Sequence, residues 1–317
     1  MAFYLRKLLR LAAVVFTASA LTFLLVALLP GDVAYEIGGP DATAEQIAAI
    51  RAEMGLDRNI ALRFGRWLAR AVAGDLGTSH RSGEPVLQAI VSRLPVTVEL
   101  LLFSQLIALG LAIPAAIISA HKAGSAIDRS VASAGFATLS IPSYVMALLL
   151  IFAFALRLQL LPATGYTPLS EGICPNLKGF ILPSLSIALI EWVPLMRVLR
   201  SDMIGTLQED YILMARAKGL PTWKILLTDA LKPSSLTLVT VLGLQIGHWI
   251  GAAVIIEMIY ALPGIGRLLV DAIFSRDFLM VQGCVLVITV AYVVINSAVD
   301  LLYAVLDPRI RLEPKNG

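Results

Sequence analysis

Cysteine is nearly missing: Cys174 and Cys284 are the only two in 317 residues. Two sulfurs build no disulfide framework, and their separation fits no metal site, so each reads as an isolated packing residue. Histidine is as scarce. His80, His121 and His248 stand far apart, and no metal-ligand cluster is visible. Charge is short too, at 15% of the chain, against 58% hydrophobic residues and a mean hydropathy of +0.83. A soluble domain of this size cannot hide that much apolar surface from water, whereas a polytopic membrane protein hides it in lipid. The net charge of +3 is small and informative only through its distribution along the loops. Catalytic patterns are absent: there is no HExxH pair, no GxSxG elbow and no GxxxxGK[ST] phosphate loop. The chain is expected to hold no catalytic residue, no metal and no ATP of its own. Spaced gating arginines and a TVGYG-like filter are missing as well, which removes support for a channel.

What the chain does have is apolar runs. Arg6, Lys7 and Arg10 precede the first, Leu11 to Leu29. It is long for a signal peptide, and Leu28-Leu29-Pro30-Gly31-Asp32 follows in place of a cleavage site, so it reads as a retained helix with its N-terminus inside. Five more runs cover roughly 96–120, 131–156, 181–198, 234–260 and 280–305. The expectation is an all-α polytopic membrane protein with six transmembrane helices, both termini cytoplasmic. Residues 1–30 form its N-terminal span, 31–93 a periplasmic helical segment, 94–308 a core containing a cytoplasmic loop 201–233, and 309–317 a cytoplasmic tail. Arg129, Arg216, Lys218, Lys224, Lys232, Arg309, Arg311 and Lys315 then lie inside, as the positive-inside rule asks.

In the 31–93 segment, Thr43 and Gln46 are spaced as a capping box before a short helix that Gly55 can close. A second helix from Ile60 carries Ile60, Phe64, Trp67, Leu68 and Ala71 on one stripe, with Gly74 as its stop. Trp67, Arg63, Arg66 and Arg70 suit a membrane surface, or a docking platform for an extracytoplasmic protein. Pro85 opens a third helix leading towards Arg93. Pro114, Pro142 and Pro194 interrupt apolar runs, where each removes a backbone bond and bends the helix. Gly243, Gly247 and Gly251 repeat at four-residue spacing in the fifth span, a seam for close helix packing.

Glu99, Glu191, Glu257 and Asp300 fall in or at the ends of spans. A charge at mid-membrane costs on the order of 3 kcal/mol, so it usually faces a cavity or a partner. Glu191 is either a pathway residue for a cationic cargo group or a partner for Arg197 or Arg200. Glu257 and Asp300 read as anchors or interhelical hydrogen-bond partners, with Glu257 also a pathway candidate. His248 reads as a packed, hydrogen-bonded residue.

The longest polar interval of the second half is DYILMARAKGLPTWKILLTDALKP, 210–233. A helix from about Ile204 to Lys218, Gly219 as its C′ residue and Pro221 beyond it make one arm. A second arm runs from Pro221 or Thr222 to Lys232, with Pro233 opening the fifth span. The corner is small at Ala215, Ala217 and Gly219 and is flanked by Arg216 and Lys218. By itself this is a connector or a docking surface for a cytoplasmic partner.

These residues resemble the "EAA" coupling loop of permease subunits in ATP-driven importers, most nearly the dipeptide, oligopeptide and nickel B-type family. LLPGD, EMGLD, GDLGTS, RLPVTVEL, LSIPS, LLPATGY, ALPGIGRLLVDAI and DLLYAVLDPRIR look like that family's pieces in its order, across nearly the whole chain. The leading Glu-Ala positions of the motif read Leu213-Met214 here, and Asp229 and Pro233 stand where family members often have His and Asn.

The resemblance implies a type I importer permease fold in the bacterial inner membrane. It implies a homologous second permease in a heterodimer, two cytoplasmic ATPases that bind ATP-Mg, and a periplasmic binding protein delivering a di- or oligopeptide, nickel or another small cargo. Asp210, Tyr211, Ala215, Arg216, Ala217, Lys218 and Gly219 would be the ATPase-coupling residues. The competing expectation is a stand-alone ion-coupled transporter with Glu191, Glu257 and Asp300 as a proton relay; an intramembrane enzyme lacks its motifs.

Overall fold

A computed structural model describes residues 2–28, 33–38, 42–54 and 57–306. Gly55, the surroundings of Gly247, the side chains of His248 and Asp300, and the tail 309–317 lie outside the described residues. The chain is built from helices: α1 (Ala2–Leu28), α2 (Val33–Gly38), α3 (Ala44–Met54), α4 (Ile60–Val72), α5 (Val86–His121), α6 (Ala126–Leu139) and α7 (Ser143–Leu150) come first. The rest are α8 (Ile173–Thr206), α9 (Asp210–Ala217), the single turn α10 (Thr222–Lys224), α11 (Leu231–Ile259), α12 (Ile265–Phe274) and α13 (Phe278–Leu306). Among the described residues four helices are long and apolar enough to cross a membrane, or five if α6 and α7 count as one broken span. The apolar stretch of α1, Leu11–Leu25, is shorter than those four.

The chain divides into two compact units. In the first, residues 1–95 and 264–294, the capping box forms as expected. The Thr43 amide donates to Gln46 Oε1 at 2.9 Å and the Gln46 amide to Thr43 Oγ1 at 3.3 Å. Asn59 caps α4 by accepting from the Ala61 amide, and α4 stops before Gly74. Its apolar stripe packs on α1: Phe64 meets Phe16 and Phe23 edge-on at 5.5 and 5.4 Å, and Trp67 lies 6.1 Å from Phe23. Of that stripe Trp67 is buried, Phe64, Leu68 and Ala71 are half-buried and Ile60 is exposed. The third helix expected from Pro85 is the start of α5, which continues unbroken into the next apolar run.

The GDLGTS stretch folds into a tight loop. Asp75 Oδ1 accepts the Gly77 amide at 2.9 Å, and Ser79 Oγ accepts the amides of Ser82 (3.0 Å) and Arg81 (3.3 Å). The Ser79 hydroxyl donates to the buried Asp277 carboxylate, which also accepts the Met280 amide at the start of α13. The Gly77 hydrogen bond, then the Arg70 guanidinium, holds the Asp75 carboxyl below its ordinary range. Ser79→Ala is expected to destabilise this unit by about 2 kcal/mol, because a hydrogen bond to a charged acceptor is lost inside the fold; thermal unfolding in detergent checks it.

The second unit, residues 96–263 and 295–317, is organised around α8, which packs against α6, α7 and α11. Ala108, Ala112, Ala116 and Ala120, all buried on one face of α5, meet Trp192, Leu195, Met196, Leu199 and Met203 of α8 in one apolar core. The four alanines recur at four-residue spacing, the pattern expected of the glycines of α11. A Cβ at Gly243 would collide with Val299, whereas at Gly251 nothing lies within 4 Å.

Two boundaries differ from expectation. The run around Pro142 is a break: α6 and α7 meet at 99°. Proline lacks an amide hydrogen and forces the residue before it into an extended conformation, so the helix ends at Leu139 and restarts after Pro142. The first arm of the elbow starts at Asp210, not near Ile204, because α8 continues to Thr206.

Candidate ATPase-coupling elbow and polar clusters of the second unit

The elbow begins with α9. Asp210 places negative charge in its first turn, where the helix dipole favours it. Fully buried Ile212 anchors the helix to the unit. At the other end the Leu220 amide donates to the Ala215 carbonyl at 3.2 Å and the Gly219 amide to the Arg216 carbonyl at 2.9 Å. Those two bonds make a Schellman cap, which needs a left-handed residue at Gly219, and φ there is +75°. A Cβ on Gly219 would meet nothing within 4 Å, so the glycine is required by backbone conformation and its outer side is open.

The second arm is continuous with α11. After α10 the chain winds as a π-helical turn over Ile225–Ala230, and Pro233 sits in the first turn of α11 instead of starting a new helix. Having no amide hydrogen, Pro233 leaves the Asp229 carbonyl one turn back without its usual donor. The Tyr211 hydroxyl donates to that carbonyl at a long 3.4 Å, linking the two arms. Burial, then the nearby Glu209 and Asp229 charges, push the Tyr211 phenol up.

Ala215 is half-buried, whereas Asp210, Tyr211, Arg216, Ala217, Lys218 and Gly219 are exposed. Leu213, Met214 and Trp223 are exposed as well, at 53%, 58% and 64%. Large apolar side chains clustered on a polar, cationic elbow mark an interaction surface better than scattered ones do.

Among the charges inside the second unit, Arg200 has a different partner from the one weighed for it. Arg200, weighed as a partner of Glu191, is gripped by Asp128: its Nε donates to Oδ1 at 2.7 Å and an Nη to Oδ2 at 2.6 Å. Ser119 also donates to Asp128, and Arg200 Nε reaches the Ser119 Oγ at 3.1 Å. Arg197 lies over the Phe136 ring, 4.1 Å from its centre. Glu257, fully buried, accepts a hydrogen bond from Thr97 Oγ1 at 2.6 Å, so α11 is tied to α5 there. Glu191 is half-buried on α8. Asp128 was missed by sequence reasoning. The signal available was Ser125 three residues before it, an N-cap spacing that the structure confirms with the Asp128 amide donating to Ser125 Oγ at 3.3 Å.

Comparison with known proteins decides the family. Residues 112–312 match the binding-protein-dependent transport system inner membrane component, and residues 1–101 match the N-terminal part of such membrane components. The chain belongs to this permease family. It is 38% identical over 312 residues to a peptide transport system permease protein of Brucella abortus, covering 98% of this chain and 99% of that one. A peptide ABC transporter permease protein of Sinorhizobium fredii is 35% identical over 309 residues, with 98% and 99% covered. The glutathione transport system permease protein of Escherichia coli K12 is 34% identical over 309 residues, 98% of each chain. The chain is therefore an ABC importer permease of the peptide and oligopeptide family, a multi-pass protein of the inner membrane.

Proposed function

We propose that this permease forms half of the pathway through which di- or oligopeptides enter the cell, and that elbow 210–233 joins it to a cytoplasmic ATPase. The reading has six spans, α1 completing the set, with both termini inside and the 31–93 segment outside. A second homologous permease, two ATPases holding ATP-Mg and a periplasmic binding protein complete the assembly. The observation that carries the coupling is the elbow itself: a Schellman corner at Gly219 with an open outer side, beside exposed Leu213, Met214 and Trp223. Closure of the ATPase pair would move two such elbows together and rock the spans between two states, a rigid-body switch. The peptide cargo is supported by the peptide and glutathione permeases to which the chain is similar. No specific observation favours the stand-alone transporter.

The test is purification of the tagged permease from its native membrane. An ATPase is expected to come with it, and a cysteine placed at Met214 is expected to cross-link to that ATPase with a yield that changes on adding ATP. A permease that purifies without an ATPase, or a cross-link to none, sinks the proposal. Mass spectrometry of the ligand held by the co-purified binding protein tests the cargo class separately.

A further inference from the structure

The second unit contains a polar site that the elbow mechanism does not use. Glu99 and Phe103 lie one turn apart on α5, Asn176 and Phe180 one turn apart on α8, and Tyr166 comes from the segment between α7 and α8. Their rings touch: Tyr166 meets Phe180 edge-on at 5.8 Å, and Phe103 lies 6.0 Å from Phe180. Asn176 is fully buried, and its side chain is within hydrogen-bonding reach of the Glu99 carboxylate. One Asn176 amide hydrogen goes to the Thr167 carbonyl at 2.9 Å, which leaves the other for Glu99. Two acceptors are then left over. Glu99 Oε1 and Asn176 Oδ1 are both buried, and neither has a hydrogen-bond partner among the described residues.

A buried acceptor without a donor costs on the order of 1–3 kcal/mol, and a buried carboxylate costs more. Here two such acceptors share one site. Among the described residues the ion pairs of Arg70, Arg93, Arg200 and Arg267 engage other carboxylates, not Glu99. The complement to a carboxylate, a carbonyl oxygen and a wall of three aromatic rings is a cation with several N–H donors. An ammonium group has three, and aromatic faces attract it as well. A phosphate or carboxylate ligand would meet the like charge of Glu99.

We propose that Glu99 and Asn176, backed by Phe103, Tyr166 and Phe180, receive the α-ammonium group of a peptide cargo on its way through the permease. This deepens the peptide reading above and rests on it. The site supplies the charge complement that orients the cargo by its N-terminus. The ammonium donates to both acceptors and carries the charge opposite to Glu99, so the interaction favours the loaded pathway over the empty one.

The experiment uses the whole importer, with both permeases, its ATPases and its binding protein, in proteoliposomes, and radiolabelled trialanine as the probe. Glu99→Gln keeps the size and removes the charge. It is expected to lower trialanine uptake about tenfold while binding-protein-stimulated ATP hydrolysis stays within twofold of the parent. A loss of uptake of threefold or less overturns the proposal. So does a parallel fall in uptake and ATP hydrolysis, which makes Glu99 a structural residue. A parent importer that takes up neither trialanine nor glutathione overturns the peptide reading itself, and that failure is seen before any variant is made.

Discussion

Asp128→Ala is expected to destabilise the second unit by about 3 kcal/mol, because removing one partner of a buried pair leaves the other charge uncompensated. Asp128 is the better buried member, its side chain 8% exposed against 31% for Arg200. The figure is set at the low end for such a pair because the exposed part of Arg200 can turn to water. The grip is bidentate, so geometry as well as charge is lost. Three places are tied at this point: Ser119 near the end of α5, Asp128 in the first turn of α6 and Arg200 on α8. The Gly124 amide adds a further bond to Asp128 Oδ2 at 2.9 Å.

Equilibrium unfolding in mixed micelles measures the loss. The double variant Asp128→Ala, Arg200→Met is expected to be more stable than Asp128→Ala alone, since it removes the stranded charge along with its partner. A single variant within 1 kcal/mol of the parent would show that water already compensates the pair.

That cluster also explains what the sequence could and could not reveal. The Thr43–Gln46 box, the α4 stripe and the Gly219 corner rest on residues within a few positions of one another, and local spacing exposes them. Asp128 and Arg200 are 72 positions apart, and nothing in the spacing says that they meet. Helical spacing offers Glu191 as a partner to Arg197 or Arg200 of its own helix, and the acid that Arg200 meets lies on another.

The elbow shows the same division. Its corner was legible because helix termination is a local event. Its start was not, because α8 runs past the end of its apolar run to Thr206, where packing against α11 sustains it: Thr206 and Ser234 are hydrogen-bonded at 3.0 Å. Pro142 was legible as a disturbance but not as a 99° break, since the angle depends on what each half packs against. The Glu99 site was visible only as an expensive charge. Its aromatic wall comes from α5, α8 and an intervening segment, which only the fold brings together.

Gly219→Trp is expected to leave the permease folded and inserted while uptake falls at least tenfold and ATP hydrolysis by the assembled importer persists. Two effects have to be separated. Any L residue at φ +75° is strained by about 1–2 kcal/mol. That strain falls on a cap at the surface of the unit, where the helix end can fray. Bulk is the second effect. The Cβ direction at Gly219 is open within the chain, so an indole there points into whatever holds the elbow. Gly219→Ala carries the strain with almost none of the bulk. If the corner sits in a cleft of an ATPase, the alanine variant keeps most of its uptake and the tryptophan variant loses it. If the corner is only a connector, both variants transport alike, because strain is all they share. Uptake and ATP hydrolysis measured side by side in proteoliposomes separate the outcomes, and normal uptake by Gly219→Trp would remove the elbow from the coupling path.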